Sequence, residues 1–187
     1  MTDDIEIRPF LPAHLSQLPT VITGYVATEK YVVTKAESEA ETAVLLKLVP
    51  LPAPKTFVYD HLDKAELARL GSVVAEGMSV GAFVGEQLIG VTLASAEAWN
   101  CSLRVWEFHV AELWRGQGIG RRLLAKVSET AVAQNLRVIV CETQSSNVPA
   151  IRAYRRLGFE LDAIDLSFYS NEDLQKDSVA VFMKRKL

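Results

Sequence analysis

The sequence is poor in cysteine and histidine: Cys101 and Cys141 are the two thiols, and His14, His61 and His109 the three imidazoles. Two cysteines this far apart make neither a disulfide framework nor a C-x-x-C metal pair, so a reducing cytoplasm is the expected setting. With scattered histidines and no H-E-x-x-H, a catalytic metal held by the protein is not expected. No apolar run approaches the ~20 residues of a membrane span. The opening Met1-Thr2-Asp3-Asp4-Ile5-Glu6 is acidic where a signal peptide is basic. A soluble protein that stays inside the cell and has no membrane partner is expected. An excess of one charge is missing too: 20 Lys and Arg face 23 Asp and Glu, a net charge of -3, which gives no global reason to hold nucleic acid. The chain also lacks repeats and low-complexity stretches.

What the chain does have is apolar residues, 49% of 187, enough to bury a core without disulfide or metal. One domain over residues 1–187 is expected. Residues 5–8 read as a strand, followed by a turn at Pro9 to Pro12 and a first helix through His14, Leu15 and Leu18. Residues 29–48 read as either a helix or an extended segment. Pro50, Pro52 and Pro54 alternate with apolar residues, which excludes helix and predicts a stiff connector that could line a cleft. Residues 62–70 read as a helix capped by Asp63 and ended by Gly71. Residues 79–84 and 87–94 form a hairpin across Gly85-Glu86, and residues 103–110 alternate as a central strand.

A clear amphipathic helix follows at 118–134, with Ile119, Leu123, Val127 and Ala131 at four-residue intervals. Residues 137–142 are a β-branched run, and 148–157 are helical up to Gly158. Two more strands, 159–168 and 179–184, surround a polar loop at 170–178.

The sharpest feature is Trp114-Arg115-Gly116-Gln117-Gly118-Ile119-Gly120-Arg121, set between the 103–110 strand and the long helix. Glycines there clear side chains away so that backbone N–H groups converge on an anion at the helix N-terminus, where the macrodipole helps. Arg115, Arg121 and Arg122 add positive charge, so a phosphate or pyrophosphate is implied. Counted from Gly116, a P-loop would need its second glycine where Arg121 stands. A dinucleotide fingerprint would need G-x-G-x-x-G after a βαβ unit, whereas this loop is G-x-G-x-G after a hairpin.

Arg115-Gly116-Gln117-Gly118-Ile119-Gly120 resembles the Q/R-x-x-G-x-G/A pyrophosphate loop of the GCN5-related N-acetyltransferases, the GNAT superfamily. The hairpin around Gly85, the 103–110 strand, the Asn147 to Tyr154 segment and the Gly158-Phe159 pair occur in that superfamily's order. Within it, Glu142-Thr143-Gln144-Ser145-Ser146-Asn147-Val148-Pro149-Ala150, with Tyr154, Gly158-Phe159, Asp165 and Trp99-Asn100, resembles the streptothricin acetyltransferases, which acetylate the β-lysine amine of a cationic antibiotic. The resemblance implies an α/β (α+β) fold: a mixed, mostly antiparallel sheet of about seven strands flanked by helices and splayed between the fourth and fifth. It also implies acetyl-CoA as cosubstrate and a small-molecule amine as acceptor, in a cytoplasmic monomer or homodimer. The E-T-Q segment occurs in protein N-terminal acetyltransferases as well, so a protein or peptide acceptor is the enzyme alternative. A coenzyme A-binding module without turnover is the non-enzyme one.

By the same resemblance, the pantetheine arm pairs with backbone near Phe108 and Val110, as an added strand would. The loop from Arg115 through Gly116, Gln117, Gly118, Ile119 and Gly120 to Arg121 holds the pyrophosphate, and Asn147 hydrogen-bonds the arm while also suiting a helix cap. An acceptor ammonium with a pKa near ~10.4 must lose a proton before attack. Glu107, where many GNAT enzymes carry a base, is the candidate, and Glu142 stands in reserve. Glu107 could instead pair with Arg104 or Arg137. His109 shares the face of Glu107 but, as a lone strand histidine, is expected to be structural. Tyr154 is the family's proton donor to the departing sulfur, unless it simply packs against Leu157 and Phe159. Glu107, Glu142, Asp162 and Asp165 are the acidic residues expected to meet a cationic acceptor. Cys141 is expected to be a small buried hydrophobe.

Overall fold

The computed structural model describes residues 5–187, and the acidic stretch 1–4 lies outside the described residues. Seven strands, in the spatial order β1 (Ile5–Pro9), β4 (Val80–Val84), β5 (Gln87–Glu97), β6 (Ser102–Val110), β7 (Val138–Gln144), β9 (Ala180–Lys186) and β8 (Glu160–Asp165), form a mixed, mostly antiparallel sheet, and β2 (Gly24–Glu37) and β3 (Thr42–Val58) form a separate two-stranded one. The chain divides into two compact units: residues through Thr23, Val58–Cys141 and Arg185–Leu187 in the first, and Gly24–Phe57 with Glu142–Lys184 in the second.

In the first unit, β1 (Ile5–Pro9) pairs antiparallel with β4 (Val80–Val84), β4 with β5 (Gln87–Glu97), and β5 with β6 (Ser102–Val110). The β4–β5 turn is the expected one, with Gly85 at φ 56°, a conformation that glycine adopts at little cost. Strand β7 (Val138–Gln144) then runs parallel to β6, and their ladder covers only Ser102–Val105 against Val138–Cys141. Strand β6 continues past the end of that ladder to Val110, so the sheet parts between its fourth and fifth strands, as the resemblance implied.

The expected first helix is shorter: a 3-10 turn over Pro12–Gln17 leads into α1 (Leu18–Val21). It delivers Leu18, Val21 and Ile22 to a core with Phe10, Leu70, Phe83 and Leu93. The second helix, α2 (Lys64–Ala75), begins at the expected cap, where Asp63 Oδ1 accepts from Glu66 N at 2.8 Å. Such a cap is worth about 1 kcal/mol. Gly71 does not end this helix. It lies inside α2, where an added Cβ would meet Leu15 Cδ1 at 3.4 Å, an ordinary contact, so neither termination nor crowding accounts for it. Helix α3 (Ile119–Ala133) buries Ile119, Leu123, Leu124, Val127 and Ala131, the face its periodicity predicted. Among the described residues, no helix is long and apolar enough to cross a membrane.

In the second unit, β2 (Gly24–Glu37) and β3 (Thr42–Val58) make a long ribbon. Of the two readings of residues 29–48, the extended one is correct. The Pro50 to Pro54 segment is not a connector; it lies within β3. Alternate residues of a strand direct their N–H groups to the same edge, so prolines at every second position remove donors from one edge and leave the other intact. Helix α4 (Val148–Arg156) ends before Gly158 at φ 86°. Strands β8 (Glu160–Asp165) and β9 (Ala180–Lys186) pair antiparallel. The loop between them is held by Asp173, which accepts from Tyr169 N and Ser170 Oγ, both at 2.7 Å.

Candidate active site

The glycine loop has the local geometry of an anion cradle. Gly116 and Gly118 both sit at φ 79°, and a Cβ at either would meet no atom within 4 Å. Backbone conformation rather than crowding therefore demands glycine there. Gly118 is the N-cap of α3, no side chain caps the helix, and its first turn holds no acidic residue. The first intrahelical bond is Arg122 N to Gly118 O. The N–H groups of Ile119, Gly120 and Arg121 thus precede the hydrogen-bonded ladder at the positive end of a four-turn helix. Gly120 has a different reason: its Cβ would stand 3.3 Å from Phe108 Cζ, so the helix start and the β6 ring approach closely.

The loop's side chains divide. Arg115 Nε donates to Val110 O at 3.0 Å, and Gln117 Nε2 donates to Leu113 O at 3.3 Å. Both therefore brace the turn, and Arg115 ties it to the end of β6. Arg121 is exposed on the first turn. Arg122 does not join this cluster; its guanidinium donates to Ile5 O at 2.6 Å, the carbonyl of an edge strand. Phe108 and Val110, expected along the pantetheine arm, face Thr92 and Gly90 of β5. They lie in the part of β6 beyond its ladder with β7.

Glu107 follows directly after an irregularity in β6. Leu93 pairs with Glu107 and Ala94 with Val105, leaving Trp106 as the extra residue of a bulge. The bulge is pinned: Trp106 Nε1 donates to Ser95 Oγ at 2.7 Å, and the guanidiniums of Arg69 and Arg104 lie 4.7 and 5.1 Å from its ring. Bulges bend a strand and re-aim the side chains beside them. The Glu107 side chain is 11% exposed and has histidine partners on both oxygens. His109 Nε2 lies 2.7 Å from Oε2, and His61 Nε2 lies 3.5 Å from Oε1. The expected arginine partners are elsewhere: Arg104 stacks on Trp106, and Arg137 Nε donates to Asn100 O at 2.8 Å. The histidines are therefore not scattered, since two of the three meet on one carboxylate. Tyr59 joins them, its ring edge-on to His61 at 5.6 Å and to His109 at 5.7 Å between centroids.

Burial pushes the Glu107 carboxyl up, but hydrogen bonds to His109 and His61 outweigh it and hold the group down at about 2. At pH 7 such a carboxylate carries a proton in only about one molecule in 10⁵. The hydrogen bond to Glu107 raises His61, burial opposes it, and the charges of Glu107, Glu66 and Asp60 add to the rise. Donor atoms of His61, Glu66 and Glu107 all lie within 4.8 Å of one another, a spacing a metal ion could use. Both carboxylates already have partners: Arg69 grips Glu66 through two hydrogen bonds, of 2.8 and 2.5 Å, and His109 grips Glu107.

In the second unit, Asn147 is the N-cap of α4. Its Oδ1 accepts from Ala150 N at 3.2 Å, the capping role that its sequence position suggested. Tyr154 is buried, and its ring packs on Phe159 at 5.5 Å between centroids. Glu142 accepts a hydrogen bond from the Tyr169 hydroxyl. Asp162 is not available to a cationic ligand in the way expected, because Lys184 Nζ lies 2.6 Å from its carboxylate. Asp165 accepts from Ser167 N at 3.0 Å. Cys141 is buried, as expected, and Cys101 is exposed.

Residues 46–159, well over half of the chain, match the Acetyltransferase (GNAT) family. The streptothricin acetyltransferase of Escherichia coli is 30% identical over 102 residues, which cover 54% of this chain and 58% of that protein. The streptothricin acetyltransferase of Streptomyces lavendulae is 32% identical over 126 residues, covering 66% of this chain and 67% of that one. The match thus spans under two thirds of the first relative and about two thirds of the second. Among solved structures, a Bacillus anthracis protein provisionally assigned as a streptothricin acetyltransferase, in complex with acetyl coenzyme A, superposes with a TM-score of 0.73. At 20% identity, it matches over 100% of this chain and 99% of its own, so the likeness is one of fold. The glycine loop, Glu107 and Tyr154 all lie inside the family match, and the chain belongs to the GNAT acetyltransferase family.

Proposed function

We propose that this GNAT acetyltransferase takes acetyl-CoA as cosubstrate and acetylates a primary amine of a small cationic acceptor of the streptothricin type, in the cytoplasm and as a monomer or homodimer. The amine nitrogen attacks the thioester carbonyl, a C–N bond forms, the C–S bond breaks and coenzyme A leaves as a thiolate that takes up a proton. The observation that carries the reading is the start of α3: an uncapped helix N-terminus behind two left-handed glycines, with Arg121 exposed on the first turn. That arrangement suits a pyrophosphate. Binding would involve Arg115, Gly116, Gln117, Gly118, Ile119, Gly120 and Arg121, with the pantetheine arm along Phe108 and Val110 and Asn147 as a further contact.

In this reading, the whole chain serves as one acetyltransferase domain. Glu107 is the carboxylate at the centre of the proton-accepting group, and Tyr154 hydrogen-bonds the departing sulfur. A phenol near pKa ~10 does not deliver its proton downhill to a thiolate near ~8.5, so its gain is stabilisation of developing charge. The acceptor assignment draws on the two streptothricin acetyltransferases that resemble the chain.

Thiol release from acetyl-CoA, measured with streptothricin, lysine-like amines, polyamines and N-terminal peptides, tests it. Cationic small amines should give the highest kcat/KM. If neutral or acidic peptides outcompete streptothricin, the acceptor is a protein N-terminus.

A further inference from the structure

We propose that His61 is the base that takes the proton from the acceptor amine, with the buried Glu107 carboxylate orienting its imidazole. The proposal rests on the acetyltransferase reading and assigns the proton's destination within it.

Three observations lead to His61. The first is that Glu107 is poorly placed to take a proton itself, since its side chain is 11% exposed and each oxygen faces an imidazole. A buried carboxylate in contact with imidazole nitrogens is the arrangement by which proteins fix a histidine tautomer. Nε2 of His61 is the ring nitrogen that meets the carboxylate, 3.5 Å from Oε1, so a proton held on Nε2 leaves the Nδ1 lone pair to accept one.

The second observation separates the two histidines. The His61 side chain is 43% exposed and His109 19%. The shorter contact, 2.7 Å, belongs to His109, which shares β6 with Glu107. His109 fixes the carboxylate from one side, while His61, on the loop between β3 and α2, meets both the carboxylate and solvent. It can therefore pass a proton on after taking it.

The third observation is a cavity of about 440 Å³ whose wall includes Tyr59, Asp60 and Leu62, the residues flanking His61, together with Ile22 and Thr23. This is the size of a small-ligand site, and Asp60 is the acidic residue among those lining it.

The charged groups acting on His61 are Glu107 from β6, Glu66 from α2 and Asp60 beside it in the loop, with His109 on the other oxygen of Glu107 and Arg69 on Glu66. The three carboxylates all favour the imidazolium, and Arg69 neutralises Glu66 through their paired hydrogen bonds. His61 must be neutral to accept a proton. Activity should therefore rise with pH through a midpoint above the usual histidine value, and the proton acquired in each turnover returns to solvent.

The test uses the full chain with acetyl-CoA and the best acceptor of the panel. kcat is measured at saturation and kcat/KM across pH, for the parent, His61→Gln, His109→Gln and Glu107→Gln. His61→Gln should lower kcat by roughly 10²-fold, the low end of general-base contributions, and abolish the acidic limb of the profile. Its acetyl-CoA affinity and thermal midpoint should stay at parental values. Glu107→Gln should keep a limb but move it to lower pH, because the countercharge is gone. NMR titration of the His61 imidazole should report the same midpoint and the same downward move. A His61→Gln enzyme within threefold of the parent, with its acidic limb intact, overturns the proposal, and so does a limb lost in His109→Gln but kept in His61→Gln. If the parent itself releases no thiol with any amine, the acetyltransferase reading fails first and takes this proposal with it.

Discussion

The glycine loop and the carboxylate–histidine cluster lie in the same unit and are built in opposite ways. The loop is a local object. Gly116, Gly118 and the first turn of α3 are neighbours in sequence, and the groups proposed to bind the cofactor are backbone N–H groups. The cluster is a long-range object: His61 comes from the loop ahead of α2, whereas Glu107 and His109 come from a bulged strand that Trp106 pins. The loop presents positive potential to a ligand from fixed dipoles. The cluster buries a negative charge between two imidazoles. A function that needs both, binding an anionic cofactor and deprotonating a cationic acceptor, separates the two tasks into different kinds of structure.

The contrast can be broken most sharply at the loop. Gly118→Asp sets a carboxylate where the N–H groups of α3 converge. An added Cβ meets no neighbour there, so the fold should survive with the modest cost of a left-handed non-glycine residue. Acetyl-CoA at a hundredfold excess over Kd should stabilise the parent by about 2.7 kcal/mol, and the variant by nearly nothing. Calorimetric melts with and without acetyl-CoA check this, and equal shifts in the two proteins would refute the phosphate-loop assignment.

A smaller effect is expected at Tyr154, where Tyr154→Phe keeps the ring that packs on Phe159 and removes only the hydroxyl. Under conditions where chemistry limits turnover, kcat should fall by roughly 10²-fold while acetyl-CoA affinity and thermal midpoint hold. A kcat within about threefold of the parent would leave Tyr154 a packing residue.

The same contrast explains what the sequence made legible. The β4–β5 hairpin, the central strand, the long amphipathic helix and the glycine loop each rest on neighbours within one turn or one strand, and each stands where composition and periodicity put it. Asp63 and Asn147 read as helix caps and are caps. Gly71 reads as a helix stop because glycine ends helices so often, yet α2 runs through it to Ala75. The three prolines looked like a connector because proline is rare in strands, and only their even spacing makes β3 possible. The pairing of His61 with Glu107 left no mark in the sequence. The i, i+2 spacing of Glu107 and His109 put them on one face, but nothing local links either to a histidine 46 positions earlier. The partners of Arg122 and Asp162 are hidden for a similar reason: charge can be counted from sequence, but Ile5 O and Lys184 come from tertiary structure.

Each of these expectations depends on the proposed transfer of acetyl from acetyl-CoA to an amine. The most direct measurement is a single turnover of the parent protein, preloaded with acetyl-CoA and mixed with streptothricin, following free thiol and acetylated product together. Thiol and N-acetylated streptothricin should appear in equal amounts and at the same rate. Tight acetyl-CoA binding with no thiol released, to streptothricin or to any other amine, would contradict the transfer and leave a coenzyme A-binding module.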